Sequence, residues 1–272
     1  MQKGLIEMKK IKQIILLIGI FLSNPLWAQE KIKIKLVDSL EVKADNYIGK
    51  DNLKNDYFSF KNVFKKRNSN QEYEYQNLSL GKIKGICITN PLQVVVFYED
   101  FNSLVLLDNQ LNETQQINAN RFETPVKIEA FGLASQNQVW LYDGFLQKIS
   151  LYNFKTNTIK IISTPITEKI KDYHSDYNYF YWVDELNTLY SISLFGKVKT
   201  LGTIPDYDTI QIIDESRVLF FKNKKMSFFD INKQLVQEIN LFRKSIDNFI
   251  YSNGILSIFT NSQIINYKID LP

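Results

Sequence analysis

Short apolar segments separated by polar turns recur along most of this chain. The clearest are five or six residues long, rich in β-branched and aromatic residues and bounded by polar turn formers, which predicts strands and not helices. A polar turn and a second apolar segment follow each one. Each apolar position of the first segment has a corresponding position in the second segment, ten residues later. We therefore expect Val94 to pair with Leu104, and Val139 with Ile149. The five segments are Gln93–Tyr98, Gln138–Tyr142, Tyr179–Val183, Arg217–Phe221 and Gly254–Phe259.

The spacing of these segments predicts the fold. They return after 45, 41, 38 and 37 residues, and a period near 40 residues with several strands per repeat is typical of a β-propeller. We predict an all-β propeller of six four-stranded blades with little or no helix. The last blade has room for three strands, and Ile32–Val42 supplies the fourth, so the two chain ends pair and protect two sheet edges. The predicted blades are residues 44–80, 81–122, 126–166, 169–206, 207–243 and 246–272.

Residues 1–28 have the pattern of a signal peptide. Lysines precede the apolar run Ile14–Leu22, whose nine residues are too few to span a bilayer, and cleavage is expected near Ala28. Met8 is as good a start as Met1. Because no cysteine stands at the cleavage site, we predict an unlipidated protein that is periplasmic or exported. It has a single propeller domain over residues 29–272 and no transmembrane anchor.

Charge excludes several classes of partner. The formal net charge is +4, but residues 1–28 carry four lysines and one glutamate, which leaves 29 basic and 28 acidic residues in the rest of the chain. A chain with nearly equal numbers of basic and acidic residues is not expected to bind nucleic acid, or a membrane through a polybasic surface. Peripheral association with the outer membrane stays open. The hydrophobic content of 44% is ample for a core.

The chain has one cysteine and one histidine, and these limit its chemistry. Cys87 lies in the apolar run Ile86–Ile88 and is predicted to be buried in the core, with no disulfide partner. His174 stands at a blade entrance, and any catalytic triad or Cys–His dyad would have to use it. We expect His174 to have no catalytic task. One histidine and one buried cysteine cannot supply the ligands of a zinc site, so no metal or cofactor is predicted.

Carboxylates recur after the second strand of several predicted blades. They could line one rim and bind calcium or act as an acid–base pair. Alternatively they form the turn between the second and third strands, where Asp and Asn favour tight turns. The fifth segment has Lys222 and Asn223 there, which favours the turn interpretation. The candidates are Glu99, Asp100, Asp143, Asp184 and Glu185.

Aromatic and basic side chains supply the remaining candidates. Tyr173, beside His174, and Tyr177 are the surface aromatics on which a sugar could stack. The basic runs Lys61–Arg67 and Lys222–Lys225 are expected at hairpins. There they serve as solvated turns, or contact anionic lipid or an acidic partner.

The stretch Ala44–Gly49 and the segment from Asn90 through Asp108 carry a resemblance. Together with the signal peptide, they make the whole mature chain resemble small exported β-propeller proteins of Bacteroidota (flavobacterial-type) bacteria. The chain lacks the Trp-Asp strand ending of WD40 repeats, the double glycine of kelch repeats and the sialidase box. It also ends in a propeller strand without a C-terminal sorting domain, so periplasmic retention is expected.

Two functions follow as hypotheses. The first is a non-enzymatic periplasmic propeller that binds envelope proteins, as a scaffold or accessory subunit of an outer-membrane assembly or export complex. The second is a carbohydrate-binding or hydrolytic propeller that uses the rim carboxylates with Tyr173 or His174. A plugged channel and an apolar rim would favour the first, whereas an acidic funnel of converging carboxylates would favour the second.

Overall fold

The computed structural model describes residues 32–241, 246–260 and 263–272. The predicted signal peptide of residues 1–28 lies outside them and stays a prediction. Two 3-10 helices, Leu78–Leu80 and Ala119–Arg121, accompany the strands. The strands are β1 (Ile34–Glu41), β2 (Asn46–Lys50), β3 (Asp56–Phe60), β4 (Val63–Arg67), β5 (Glu72–Tyr75), β6 (Ile83–Cys87), β7 (Val94–Tyr98), β8 (Ser103–Leu107), β9 (Glu113–Asn118), β10 (Ile128–Ala134), β11 (Gln138–Asp143), β12 (Lys148–Asn153), β13 (Thr158–Ile161), β14 (Ile170–Ser175), β15 (Tyr179–Asp184), β16 (Thr188–Ser193), β17 (Val198–Thr203), β18 (Thr209–Ile212), β19 (Arg217–Lys222), β20 (Lys225–Asp230), β21 (Leu235–Ile239), β22 (Asn248–Ser252), β23 (Ile255–Thr260) and β24 (Gln263–Ile269).

The strands form six four-stranded antiparallel sheets, which are the blades of a propeller. Blades 1 to 5 take consecutive strands, from β2–β5 to β18–β21, and blade 6 has the order β22-β23-β24-β1. The first strands of neighbouring blades contact one another around the central axis. The prediction of an all-β, six-bladed propeller is therefore confirmed.

The first and last strands of the described chain pair in blade 6. β1 pairs with β24 from Ile34 opposite Ile269 to Glu41 opposite Gln263, with a bulge at Val37. Pairing through main-chain hydrogen bonds gives β24 a neighbour on its outer edge, which would otherwise be open. The predicted closure by the N-terminal strand is confirmed.

Six apolar clusters fill the spaces between neighbouring blades, one for each interface of the ring. The second strands contribute to two clusters at once. In β7, Val95 and Phe97 pack towards blade 3, while Val94 and Val96 pack towards blade 1. Since successive side chains of a strand point to opposite faces, a strand between two blades must be apolar on both, and this produces the unbroken apolar runs of the sequence.

Cross-strand register differs from the expected one. Val94 faces Leu107 and not Leu104, whose partner is Phe97. The two strands of an antiparallel hairpin run in opposite directions, so the sequence separation between facing residues changes along the hairpin. A constant separation of ten residues therefore cannot describe the pairs. The offset marks equivalent positions of the repeat, and the expected pairing was wrong.

The basic run Lys61–Arg67 lies at a hairpin, as predicted, but most of it is not the solvated turn that was expected. Only Lys61 and Asn62 form the turn, with φ of 49° and 66°, and the run continues as strand β4. Lys66 is buried there, and its Nζ donates to the backbone oxygen of Asn109 at 2.7 Å. A two-residue turn with positive φ at both positions matches the twist of a hairpin, which lets the strand begin directly after Asn62.

Candidate functional site

A cavity of about 760 Å³ lies along the central axis, where the first strands of the blades meet. It extends to the turns that join first and second strands, at Asn52, Pro91 and Asn253. Isoleucine side chains contribute much of its wall. This channel contains two of the residues predicted to bind a ligand, Tyr173 and His174.

Glycines in the first strands let large side chains approach across the blade boundaries. A Cβ at Gly49 would lie 3.0 Å from Cδ1 of Ile88, and one at Gly85 would lie 2.9 Å from Cε1 of Phe131. Because such distances leave no room for a methyl group, only glycine accommodates these neighbours without displacement. Ile88 and Phe131 both line the channel.

Tyr173 and His174 are neighbours on β14 and belong to the channel wall, not to an outer rim. Tyr173 is 39% exposed, yet its partial desolvation in the channel wall raises its pKa to about 12. Its ring stacks on Phe180 with centroids 5.7 Å apart. Burial lowers the pKa of His174, against the opposing influence of the Asp176 carboxylate. Both side chains are therefore uncharged near neutral pH.

Cys87 is not the core residue that its sequence context predicted. Its side chain is partly exposed and contributes to the wall of the same channel. Sγ lies 3.3 Å from Oγ1 of Thr89 and accepts the Leu133 amide at 3.4 Å. Apolar neighbours in sequence did not bury it, because β6 is an innermost strand with one face towards the channel. No hydrogen bond joins Cys87 to His174 within the described part of the chain.

Asp143 and Asp184 are buried and hold turns. Oδ1 of Asp143 accepts the amides of Lys127 and Phe145 at 3.1 and 2.9 Å. Oδ1 of Asp184 accepts the amides of Leu186 and Thr188 at 2.9 and 2.8 Å. Each carboxylate thus satisfies backbone donors that a tight turn leaves unpaired, as the turn interpretation requires.

The other three carboxylates are exposed: Glu99 and Asp100 share the hairpin between β7 and β8, and Glu185 lies in the hairpin between β15 and β16. Glu99 pairs with Lys84 at 3.0 Å and Glu185 with Lys169 at 3.3 Å. Asp100 accepts the Lys82 amide at 3.3 Å. Among the described residues, no group of three or more His, Cys, Asp or Glu side chains is arranged to hold a metal ion. The predicted rim residues are therefore not brought together into one acidic site.

Apolar side chains at the tips of three successive hairpins were missed by the sequence reasoning. These hairpins join the second and third strands of blades 2, 3 and 4, and we name their exposed apolar residues the hairpin-tip arc. Their signal in the sequence is an apolar residue within three positions of each rim carboxylate. The arc lies at the end of the blades opposite to the turns that join first and second strands. It consists of Phe101, Phe145, Leu146 and Leu186.

Comparisons with known proteins agree on the fold. No protein-family model matches the chain. A solved streptogramin B lyase structure superposes with a TM-score of 0.57 at 12% identity and covers 89% of this chain and 99% of its own. A DUF4221 family member from Bacteroides vulgatus gives a TM-score of 0.55 at 8% identity, covering 89% of this chain and 99% of that one. At such identities the likeness defines a class, the β-propellers, and nothing narrower.

One curated protein is similar in sequence. A putative BTB/POZ domain-containing protein of Acanthamoeba polyphaga mimivirus is 24% identical over 115 residues. The match covers 39% of this chain and 22% of that protein, so the chain spans about a fifth of its relative. Within the described residues, no helix has the length and apolarity needed to cross a membrane.

Proposed function

We propose that this chain is a non-enzymatic propeller of the periplasm that binds another envelope protein, as a scaffold or accessory subunit of an outer-membrane assembly or export complex. The hairpin-tip arc is the single observation that carries the proposal. The periplasmic location is inferred from the predicted signal peptide and from the resemblance to exported Bacteroidota propellers.

The arc exposes more apolar surface than hairpin turns need. Phe145 is 70% exposed, Leu186 77% and Phe101 49%. Large apolar side chains gathered at one end of neighbouring elements mark interaction surfaces, since leaving them in water costs free energy. Covering these three side chains would contribute roughly 4 kcal/mol, about half of the free energy of a micromolar complex.

Charges beside the arc leave the contact mainly to apolar groups. The ion pairs of Glu99 with Lys84 and of Glu185 with Lys169 are exposed and internally neutralised. Such pairs contribute little to binding and offer no net charge to a partner. The partner surface that fits the arc is therefore apolar at its centre.

Hydrolysis of a glycan at the rim is the weaker alternative. An acid–base pair needs two carboxylates that face one bond, about 5 to 10 Å apart. Here Asp143 and Asp184 bind backbone amides, and Glu99 and Glu185 are paired with lysines of their own blades. The arrangement supports binding better than bond cleavage.

The test is quantitative crosslinking in the native envelope. Cells would carry the wild type, a Phe145→Ser/Leu186→Ser variant, or a Phe195→Ser control, and the crosslinked partners would be measured by mass spectrometry. Phe195 is 94% exposed and lies in a turn at the opposite end of blade 4, so its replacement removes exposed apolar surface without touching the arc. We expect a specific partner to be lost at least ten-fold in the arc variant and retained in the control.

Equal recovery in all three strains, or no crosslinked partner for the wild type, would contradict the proposal. N-terminal sequencing of the protein from the periplasmic fraction tests the compartment separately. Cleavage near Ala28 is the expected result, and an intact N-terminus in the cytoplasm would refute export.

A further inference from the structure

A second cavity, of about 590 Å³, lies between blades 2 and 3, away from the central channel. β9, the residues that follow it and the third strand of blade 3 surround the cavity, whose size suits a small-molecule site. We propose that this inter-blade groove binds a neutral mono- or disaccharide. The proposal concerns a different surface from the hairpin-tip arc and does not rest on it.

Three amide side chains in the groove are each held by one end. Nε2 of Gln115 donates to the Phe154 backbone oxygen at 2.9 Å. Oδ1 of Asn118 accepts the Asn120 amide at 2.9 Å, and Oδ1 of Asn157 accepts the Tyr152 hydroxyl at 2.9 Å. Nothing in the described chain hydrogen-bonds to the other end of these amides. Each is thus fixed in position with one polar end still available.

The available ends match the chemistry of a sugar. Gln115 presents a carbonyl oxygen, whereas Asn118 and Asn157 present NH₂ groups. A sugar hydroxyl both donates and accepts, so adjacent hydroxyls suit a site that mixes acceptors with donors. Because the three amides are already held, binding immobilises little that was free, which lowers its entropic cost.

Aromatic rings form the apolar part of the groove. Phe122 stacks on Tyr152 with ring centroids 4.6 Å apart and an interplanar angle of 22°. Tyr152 is buried, and Phe122 is partly exposed. A partly exposed ring backed by another gives a rigid surface on which the C–H face of a pyranose can pack. Amides around an aromatic surface favour a sugar over a purely apolar ligand.

Two opposite charges flank the groove and select for a neutral ligand. Arg121 and Glu123 are both exposed, and neither takes part in an ion pair among the residues that the structure describes. With one charge of each sign, the site offers no net attraction to an anion or a cation. Uronic acids and amino sugars gain one contact there and meet one like charge.

Saturation-transfer NMR on the purified chain tests the assignment. The probes are maltose and N-acetylglucosamine, with glucuronate and glucosamine as charged comparisons. We expect saturation transfer to the neutral sugars and at least ten-fold weaker binding in Gln115→Leu and in Asn118→Leu. Gln110→Leu is the matched control, because Gln110 is exposed in a turn of blade 2 outside the groove. It should bind within two-fold of the wild type.

Circular dichroism and melting temperature identify any variant that fails to fold, and having two groove variants keeps the test decisive. Absence of transfer from both neutral sugars at tens of millimolar would overturn the proposal. So would transfer that both folded groove variants retain, or transfer from the charged sugars alone. The hairpin-tip variant should bind the sugars like the wild type, so the two proposals fail independently.

Discussion

The seam where the chain ends meet gives the sharpest prediction about stability. Three polar side chains cross it in a row: Oγ of Ser257 donates to Oδ1 of Asn266, and Nδ2 of Asn266 donates to Oδ1 of Asp38, both at 2.6 Å. Ser257 and Asn266 are buried. Asn266→Ala removes both bonds, at about 1 kcal/mol each, and should lower the free energy of unfolding by about 2 kcal/mol. Asp38→Ala removes one bond and should cost about 1 kcal/mol.

Urea denaturation followed by circular dichroism measures these costs. With a slope of about 2 kcal/mol per molar urea, Asn266→Ala should move the midpoint down by about 1 M. The double variant Asp38→Ala/Asn266→Ala should be no less stable than Asn266→Ala alone, because Asn266→Ala already removes the bond to Asp38. The two substitutions should therefore show a coupling energy of about 1 kcal/mol. Ser39→Ala, at the next and exposed position of β1, is the control and should stay within about 0.5 kcal/mol of the wild type. Strictly additive costs, or a loss below 0.5 kcal/mol for Asn266→Ala, would refute the role given to this row.

Three further outcomes are expected. After deletion of Ile34–Glu41, blade 6 should lose more hydrogen-exchange protection than any other blade does. An equal loss of protection in all blades would contradict the closure by β1. Gly85→Val should destabilise by about 1 to 3 kcal/mol in a thermal melt, since its Cβ meets Phe131 at 2.9 Å, and Phe131→Ala should recover part of that loss. Because partial desolvation raises the pKa of Tyr173 to about 12, the unfolded chain loses the Tyr173 proton at a lower pH than the folded chain does. The stability attributable to Tyr173, which its 39% exposure reduces, therefore falls between about pH 10 and 12. Tyr173→Phe should flatten the decline measured by urea denaturation in that window, and an unchanged slope would count against the shift.

Local pattern predicted most of the fold. The segment Gln93–Tyr98 is recognisable as a strand between two blades because both of its faces must be apolar, and the recurrence of such segments gave six blades. The missing strand of the last blade pointed to Ile32–Val42. These features follow from chain order and from the two-residue period of a strand.

The candidate site was harder to predict because it depends on which blade faces which. Cys87 and Phe131 lie in similar apolar contexts, yet Cys87 is partly exposed to the channel and Phe131 packs over Gly85. Asp143 and Glu99 both lie where a second strand ends, yet Asp143 is buried and accepts backbone amides, whereas Glu99 is exposed in an ion pair. Side-chain direction at a strand end is set by the turn geometry, which the residue types alone do not fix.

The sequence by itself determined the strands and their grouping into six blades, because these rest on local pattern and on repetition. It also determined the pairing of β1 with β24, because the last repeat lacks a fourth strand and the segment before the first repeat supplies one. Only the tertiary structure decided where ligand-binding chemistry lies. Gln115 and Asn157 meet in the inter-blade groove although they are far apart in the chain, and Phe101, Phe145 and Leu186 come to one end of the blades. Contacts of this kind depend on how the blades pack against one another, and no local pattern encodes that packing.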